Sequence, residues 1–102
     1  MKNILLCCAS GMSTSLLVQK MKQAVAKRGI DIAIRAVPIA AFAENMADAD
    51  IILLGPQVRY QQAHVQAIAQ RQGKRVAVIE MRDYGLMDGD AVLTMALTLL
   101  ER

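Results

Sequence analysis

The chain is 102 residues long, which suits one domain over residues 1–102 with a single core. At 55% hydrophobic and 21% charged residues it is expected to fold as a globular domain rather than remain disordered. A net charge of +3, basic residues scattered from Lys20 to Arg75, and only three aromatics (Phe42, Tyr60, Tyr84) argue against a nucleic-acid binder. The apolar stretch Ala91 to Leu100 falls well short of the roughly 20 residues of a transmembrane span, so no membrane insertion is expected. The apolar run at the N-terminus is too short for the core of a signal sequence. Adjacent cysteines rarely meet disulfide geometry, so Cys7 and Cys8 are read as thiols of a cytoplasmic protein.

Four β-prone runs alternate with helical patterns. Lys2 to Cys8 is the first strand. Ser13 to Arg28 follows as an amphipathic helix, with Leu17, Met21, Ala24, Val25 and Arg28 on one face and Gly29 at its end. Asp31 to Val37 alternates in polarity and suits an edge strand. Pro38 opens a short helical segment over Ile39 to Met46. Asp50 to Leu54 is a continuous apolar run, as in a central strand, and Gly55-Pro56 ends it. A helix is predicted over Gln57 to Gln72, with Val58, Val65, Ile68 and Ala69 inward and Gly73 at its end. Arg75 to Ile79 is the fourth strand, Glu80 to Gly89 a loop, and Asp90 to Arg102 the last helix. That helix carries a stripe of Val92, Met95, Ala96, Leu99 and Leu100, and Asp88 or Asp90 is placed to cap it.

This order predicts an α/β fold: a four-stranded parallel sheet, doubly wound, with helices on both faces. Ligands of such sheets bind beyond the carboxyl ends of the strands, where the winding reverses. Cys8, Gly55-Pro56-Gln57 and the Glu80 to Gly89 loop all fall on that rim.

Cys8 precedes a small-residue loop, Ala9-Ser10-Gly11-Met12-Ser13-Thr14-Ser15, and then a helix. Backbone N–H groups of such a loop, together with a helix N-terminus, can hold a phosphoryl dianion in a P-loop-like cradle. A cysteine placed there is suited to act as a nucleophile. Gly11 permits close backbone approach, and Ser13 or Thr14 is expected to cap the helix. Dithiol exchange would want C-x-x-C, which is absent. Two cysteines and one histidine without ligand spacing give no zinc site, and His64 is expected on an exposed helix face. A cysteine phosphatase would carry an arginine six residues after the nucleophile, where this chain has Thr14. A cradle without that arginine favours a carrier that accepts and passes on phosphate over a hydrolase.

The run from Cys8 to Val18 resembles the phosphorylated loop of enzyme IIB components in the lactose/cellobiose/chitobiose class of the bacterial phosphotransferase system. Ala49 to Val58, and Tyr84-Gly85 with Asp88-Gly89, are further matching blocks. The resemblance implies a phosphotransferase without cofactor or metal. Cys8 would take a phosphoryl group from a phosphohistidine of a IIA protein and deliver it to a sugar held by the membrane IIC permease. That sugar would be of β-glucoside, chitobiose or lactose type. Cys8 is then the phosphocysteine and Ala9 to Ser15 the phosphate-binding loop, with Cys7 buried and outside the transfer.

Gln57 and Tyr84 are candidates for contacts with phosphate or partner, but would serve equally as a helix-start residue and a packed loop tyrosine. Arg59 and Tyr60 are weaker candidates for the docking face, and Met12 is expected at the surface. The competing functions are a small cysteine phosphatase, a phosphorylation-sensing module and a redox sensor built on the two thiols.

Overall fold

The computed structural model describes residues 1–9 and 11–101, and for residues 11–13 the backbone alone. Its elements are β1 (Lys2–Cys8), α1 (Gly11–Arg28), β2 (Ile32–Pro38), α2 (Phe42–Asn45), β3 (Ile51–Leu54), α3 (Gln62–Gln70), β4 (Arg75–Val78), α4 (Met81–Gly85) and α5 (Gly89–Glu101). Single 3-10 stretches, Ile39–Ala41 and Pro56–Gln61, lead into α2 and α3.

The four strands form one parallel sheet in the order β2-β1-β3-β4. The two most uniformly apolar strands, β1 and β3, are therefore central, and the alternating β2 lies at an edge, as its sequence predicts. From β1 the chain winds outward to β2, then crosses back over β1 to β3. The winding thus reverses beside the carboxyl end of β1. The register pairs Cys8 with Pro38, Cys7 with Leu54, and Leu54 with Val78, so the strand ends form a level rim.

Alternation along the central strands divides the core between the two faces of the sheet. Ile4, Leu6, Ile51 and Leu53 pack with Leu17 and Met21 of α1 and with Val92, Leu93 and Ala96 of α5. Leu5, Cys7, Ile52 and Leu54 pack on the other face with Phe42 of α2 and Val65 and Ala69 of α3. Each fully buried Leu or Ile contributes about 1.5–3 kcal/mol relative to exposure, so the doubly wound arrangement follows from two apolar faces that both need covering.

The helix ends have local causes. Gly29 takes φ +65° after α1. Its N–H donates to Ala26 O, and that of Ile30 to Val25 O at 3.3 Å, a Schellman closure. Gly73 at φ +70° closes α3 in the same way. Asp88 caps α5 by accepting the Ala91 N–H on Oδ1 at 3.0 Å. Asp90, the other candidate cap, instead receives Arg28 Nη2 at 2.7 Å.

Several boundaries differ from the sequence reading. Helix α1 begins at Gly11, two residues before Ser13, because its first N–H groups require no intrahelical partner and nothing obliges the turn to wait for a hydroxyl. Thr14 is consequently inside the helix and does not cap it. Arg28 lies outside the apolar face, reaching across to Asp90 and Thr94 of α5. The predicted Gln57 to Gln72 helix is broken at Val58 (φ −115°, ψ 20°), where its N–H turns back to Gly55 O at 3.0 Å. The Glu80 to Gly89 loop contains α4, a single turn too short to show periodicity. The buried stripe of α5 includes Leu93, while Met95, Leu99 and Leu100 are only partly covered. The predicted end of the last helix at Arg102 lies outside the described residues.

Candidate functional site

Cys8 is the last residue of β1, 2% exposed, with Sγ 3.9 Å from Val37 O. At that distance the thiol donates only weakly to the carbonyl of the neighbouring strand. The backbone of β3 comes in from the other side, where Gly55 N–H donates to Cys7 O at 2.9 Å. A Cβ added to Gly55 would stand 3.8 Å from Cys8 Cβ and 2.8 Å from Gln57 Oε1. The exposed Gln57 side chain therefore folds back over Gly55 toward the end of β1. The first and third strand ends meet as the sequence predicts, and Gln57 belongs to that meeting.

Only two residues separate β1 from α1, so most of the predicted loop is the helix's first turn. Gly11 is its first residue, and the first turn holds no acidic residue, while Lys27 and Arg28 stand in the last turn. The positive end of the helix is thus left without an internal counter-charge, directly after Cys8. Ala9 and Ser15 are exposed. Ser10 and the side chains of Met12 and Ser13 lie outside the described residues, and with them the expected surface position of Met12.

Thr14 is 1% exposed, and its Oγ1 lies 3.2 Å from the Tyr84 hydroxyl. Tyr84 comes from α4 and is 8% exposed, packed in the same core layer as Leu17, Ile79 and Leu93. Of its two sequence readings the structure takes the packed one, and it also joins the ring's hydroxyl to the helix that follows Cys8. Sequence reasoning missed this pairing across 70 positions. A threonine whose hydroxyl falls inside the helix that follows Cys8 is the one signal that could have raised it.

Cys7 points to the opposite face of the sheet from Cys8, buried beside Leu5 and Leu54. Burial, aided by the neighbouring Cys8 and opposed by Arg35, pushes its thiol up from the ordinary 9.0 to about 12. It is buried, as the resemblance implies. His64 is exposed on α3, in a shallow groove with Phe42, Ala43 and Ile68, and is not brought to Cys8. Arg59 is exposed, and Leu16, Tyr60 and Met81 are apolar side chains 44%, 75% and 64% exposed. In the sequence Leu16 is marked only by falling off the Leu17-Met21-Ala24 stripe, and no pattern marks Met81. Among the described residues no three His, Cys, Asp or Glu side chains come together as a metal site, and no helix is long and apolar enough to cross a membrane.

Residues 3–95 match the family model described as PTS system, lactose/cellobiose-specific IIB subunit. The oligo-beta-mannoside-specific EIIB component of Bacillus subtilis (strain 168) is 43% identical over 100 residues, covering 98% of this chain and 97% of the relative. The galactose-specific EIIB component of Lactococcus lactis subsp. cremoris (strain MG1363) is 44% identical over 104 aligned residues, covering 97% and 96%. The cellobiose-specific component of Lactococcus lactis subsp. lactis (strain IL1403) has the same identity and coverage. Among solved structures, the lactose-specific IIB domain from Streptococcus pneumoniae superposes with a TM-score of 0.87 at 19% identity, covering 96% of both chains, a likeness of fold. The cellobiose-specific IIB component from Borrelia burgdorferi gives a TM-score of 0.81 at 34% identity, covering 98% of this chain and 92% of that one.

Proposed function

The chain belongs to the lactose/cellobiose-specific IIB subunit family of the phosphotransferase system, and from that premise we propose that Cys8 is its phosphoryl carrier, loaded by a IIA protein and discharged to a sugar on a membrane IIC permease. As a sugar-specific IIB component the protein is a phosphotransferase. The observation that carries the Cys8 reading is its position: the last residue of β1, at the reversal of the winding, three residues before the first residue of a helix with an acid-free first turn.

In the first step the Cys8 thiolate attacks the phosphorus of the donor phosphohistidine in line. The S–P bond forms as the P–N bond breaks, and the imidazole leaves with the electron pair. The N–H groups ahead of the first intrahelical bonds of α1, from Ala9 to Ser13, stabilise charge on the equatorial oxygens, assisted by the hydroxyls of Ser13, Thr14 and Ser15. In the second step a sugar hydroxyl attacks the same phosphorus, the hydroxyl proton is released, and Cys8 departs as thiolate. Thr14 in place of an arginine leaves the cradle without a fixed cation to promote attack by water, which supports a carrier over a phosphatase. Gln57, whose Oε1 lies over Gly55, is the rim residue proposed to contact the phosphoryl group or a partner. Leu16, Tyr60 and Met81, on the segments that leave β1, β3 and β4, offer apolar contacts to partners that must bind and let go.

The sugar is of β-glucoside, chitobiose or lactose type, and its choice rests with the permease. A cytoplasmic site of action follows from a donor and acceptor of this kind. The test is transfer of labelled phosphate from phosphoenolpyruvate through the general phosphotransferase proteins and a matching IIA. One phosphoryl group per chain is expected in wild type and in Cys7→Ser, and none in Cys8→Ser. Labelling that survives Cys8→Ser would sink the assignment.

A further inference from the structure

We propose that Tyr84 is a positioning residue for phosphoryl transfer, acting through Thr14. The inference rests on the Cys8 reading above and adds to it a residue from the far end of the chain. Thr14 is six residues after Cys8, the place where a cysteine phosphatase carries its arginine. Here that place holds a buried hydroxyl whose partner is the Tyr84 hydroxyl, 3.2 Å away. A threonine hydroxyl has one proton to give and lone pairs to fill. With Tyr84 donating to Thr14 Oγ1, the Thr14 proton is available to an acceptor at the start of α1. A phosphoryl oxygen held by the first turn of that helix is such an acceptor. Two hydroxyls in series polarise one another, so the Thr14 proton becomes a better donor with Tyr84 behind it than alone.

The rest of the fold holds Tyr84 in place for this. Its N–H donates to Glu80 O and its carbonyl receives Met87 N–H, both at 3.0 Å. Met87 then takes φ 51°, an uncommon conformation for a residue with a side chain, and Asp88 N–H closes onto Asp83 O at 2.9 Å. The same Asp88 caps α5. Helix α4 is therefore a bracket fixed between β4 and α5, and the ring it carries is packed among Ile79, Leu93 and Leu17. The only polar atom of that side chain is delivered to Thr14.

The experiment compares the full-length wild type with Tyr84→Phe, Thr14→Val, Thr14→Ser and the double variant Tyr84→Phe/Thr14→Val. Each is phosphorylated through a IIA protein from phosphoenolpyruvate. The readouts are the rapid-quench rate of Cys8 phosphorylation, the phosphorus-31 resonance of the phosphocysteine, and Tm. Tyr84→Phe and Thr14→Val should each slow transfer about five- to tenfold, the worth of one hydrogen bond, and move the resonance. The double variant should be no slower than the slower of the two single ones, and Thr14→Ser should recover most of the rate lost in Thr14→Val. A fall in Tm with unchanged rate and resonance overturns the proposal, because that is what packing alone would do. Losses that multiply in the double variant also overturn it, since the two hydroxyls would then act independently. A wild-type chain that takes no label on Cys8 overturns the carrier reading itself and is told apart by the absence of any phosphocysteine to compare.

Discussion

Two neighbouring thiols receive opposite treatment from a single strand. Successive side chains of β1 face opposite ways, so Cys7 enters the layer with Leu5 and Leu54 while Cys8 ends the strand beside Gly55. The Cys7 thiol is pushed up to about 12 chiefly by burial. In the unfolded chain it ionises near its ordinary value, so between about pH 9 and 12 the unfolded state binds fewer protons than the native state. Stability from this group is therefore complete below pH 9 and falls as pH rises, by at most about 1.4 kcal/mol per pH unit. Urea unfolding across that range should show a shallower alkaline decline in Cys7→Ala than in wild type. Equal slopes would mean that Cys7 does not govern it. In the native protein a thiol reagent should modify Cys8 first, with Cys7 reacting only on unfolding, as peptide mapping would read directly.

The helices show which signals a sequence carries and which it does not. Long elements were legible from periodicity: Leu17, Met21 and Ala24 mark the buried face of α1, and Gly29 and Gly73 mark two helix ends through their left-handed φ. Short ones were not. Helix α4 is one turn long, and the break at Val58 depends on a turn to Gly55 that no residue pattern announces. The start of α1 was placed late because Ser13 and Thr14 look like caps, whereas Thr14 is committed to Tyr84. The junction of α4 with α5 offers a paired test. Gly89 packs against the Lys20 backbone, and an added Cβ would stand 2.6 Å from Met21 N. Gly89→Ala should cost about 1–3 kcal/mol by overpacking, and Asp88→Ala about 1 kcal/mol through the lost cap. Gly85→Ala, whose Cβ meets nothing within 4 Å, should leave stability unchanged or slightly raised. Thermal unfolding of the three variants gives the ranking.

At the scale of the molecule, topology makes the site. The order β2-β1-β3-β4 puts the reversal of the winding beside β1, and the register levels Cys8, Pro38, Leu54 and Val78 into one rim. The rim was legible because strand, turn and helix alternate clearly along the chain. The contact between Thr14 and Tyr84 was not, because it joins two elements whose nearness depends on the whole wound sheet. Under the proposed function the chain carries the phosphoryl group and the sugar is read on the permease, so everything turns on one S–P bond at Cys8. Site mapping of the phosphorylated protein by mass spectrometry, after loading through IIA from phosphoenolpyruvate, tests that bond most directly. The account predicts one phosphoryl group on the peptide containing Cys7 and Cys8, placed on Cys8 by fragmentation. A group on Cys7, on exposed His64 or on a serine of the loop would contradict it.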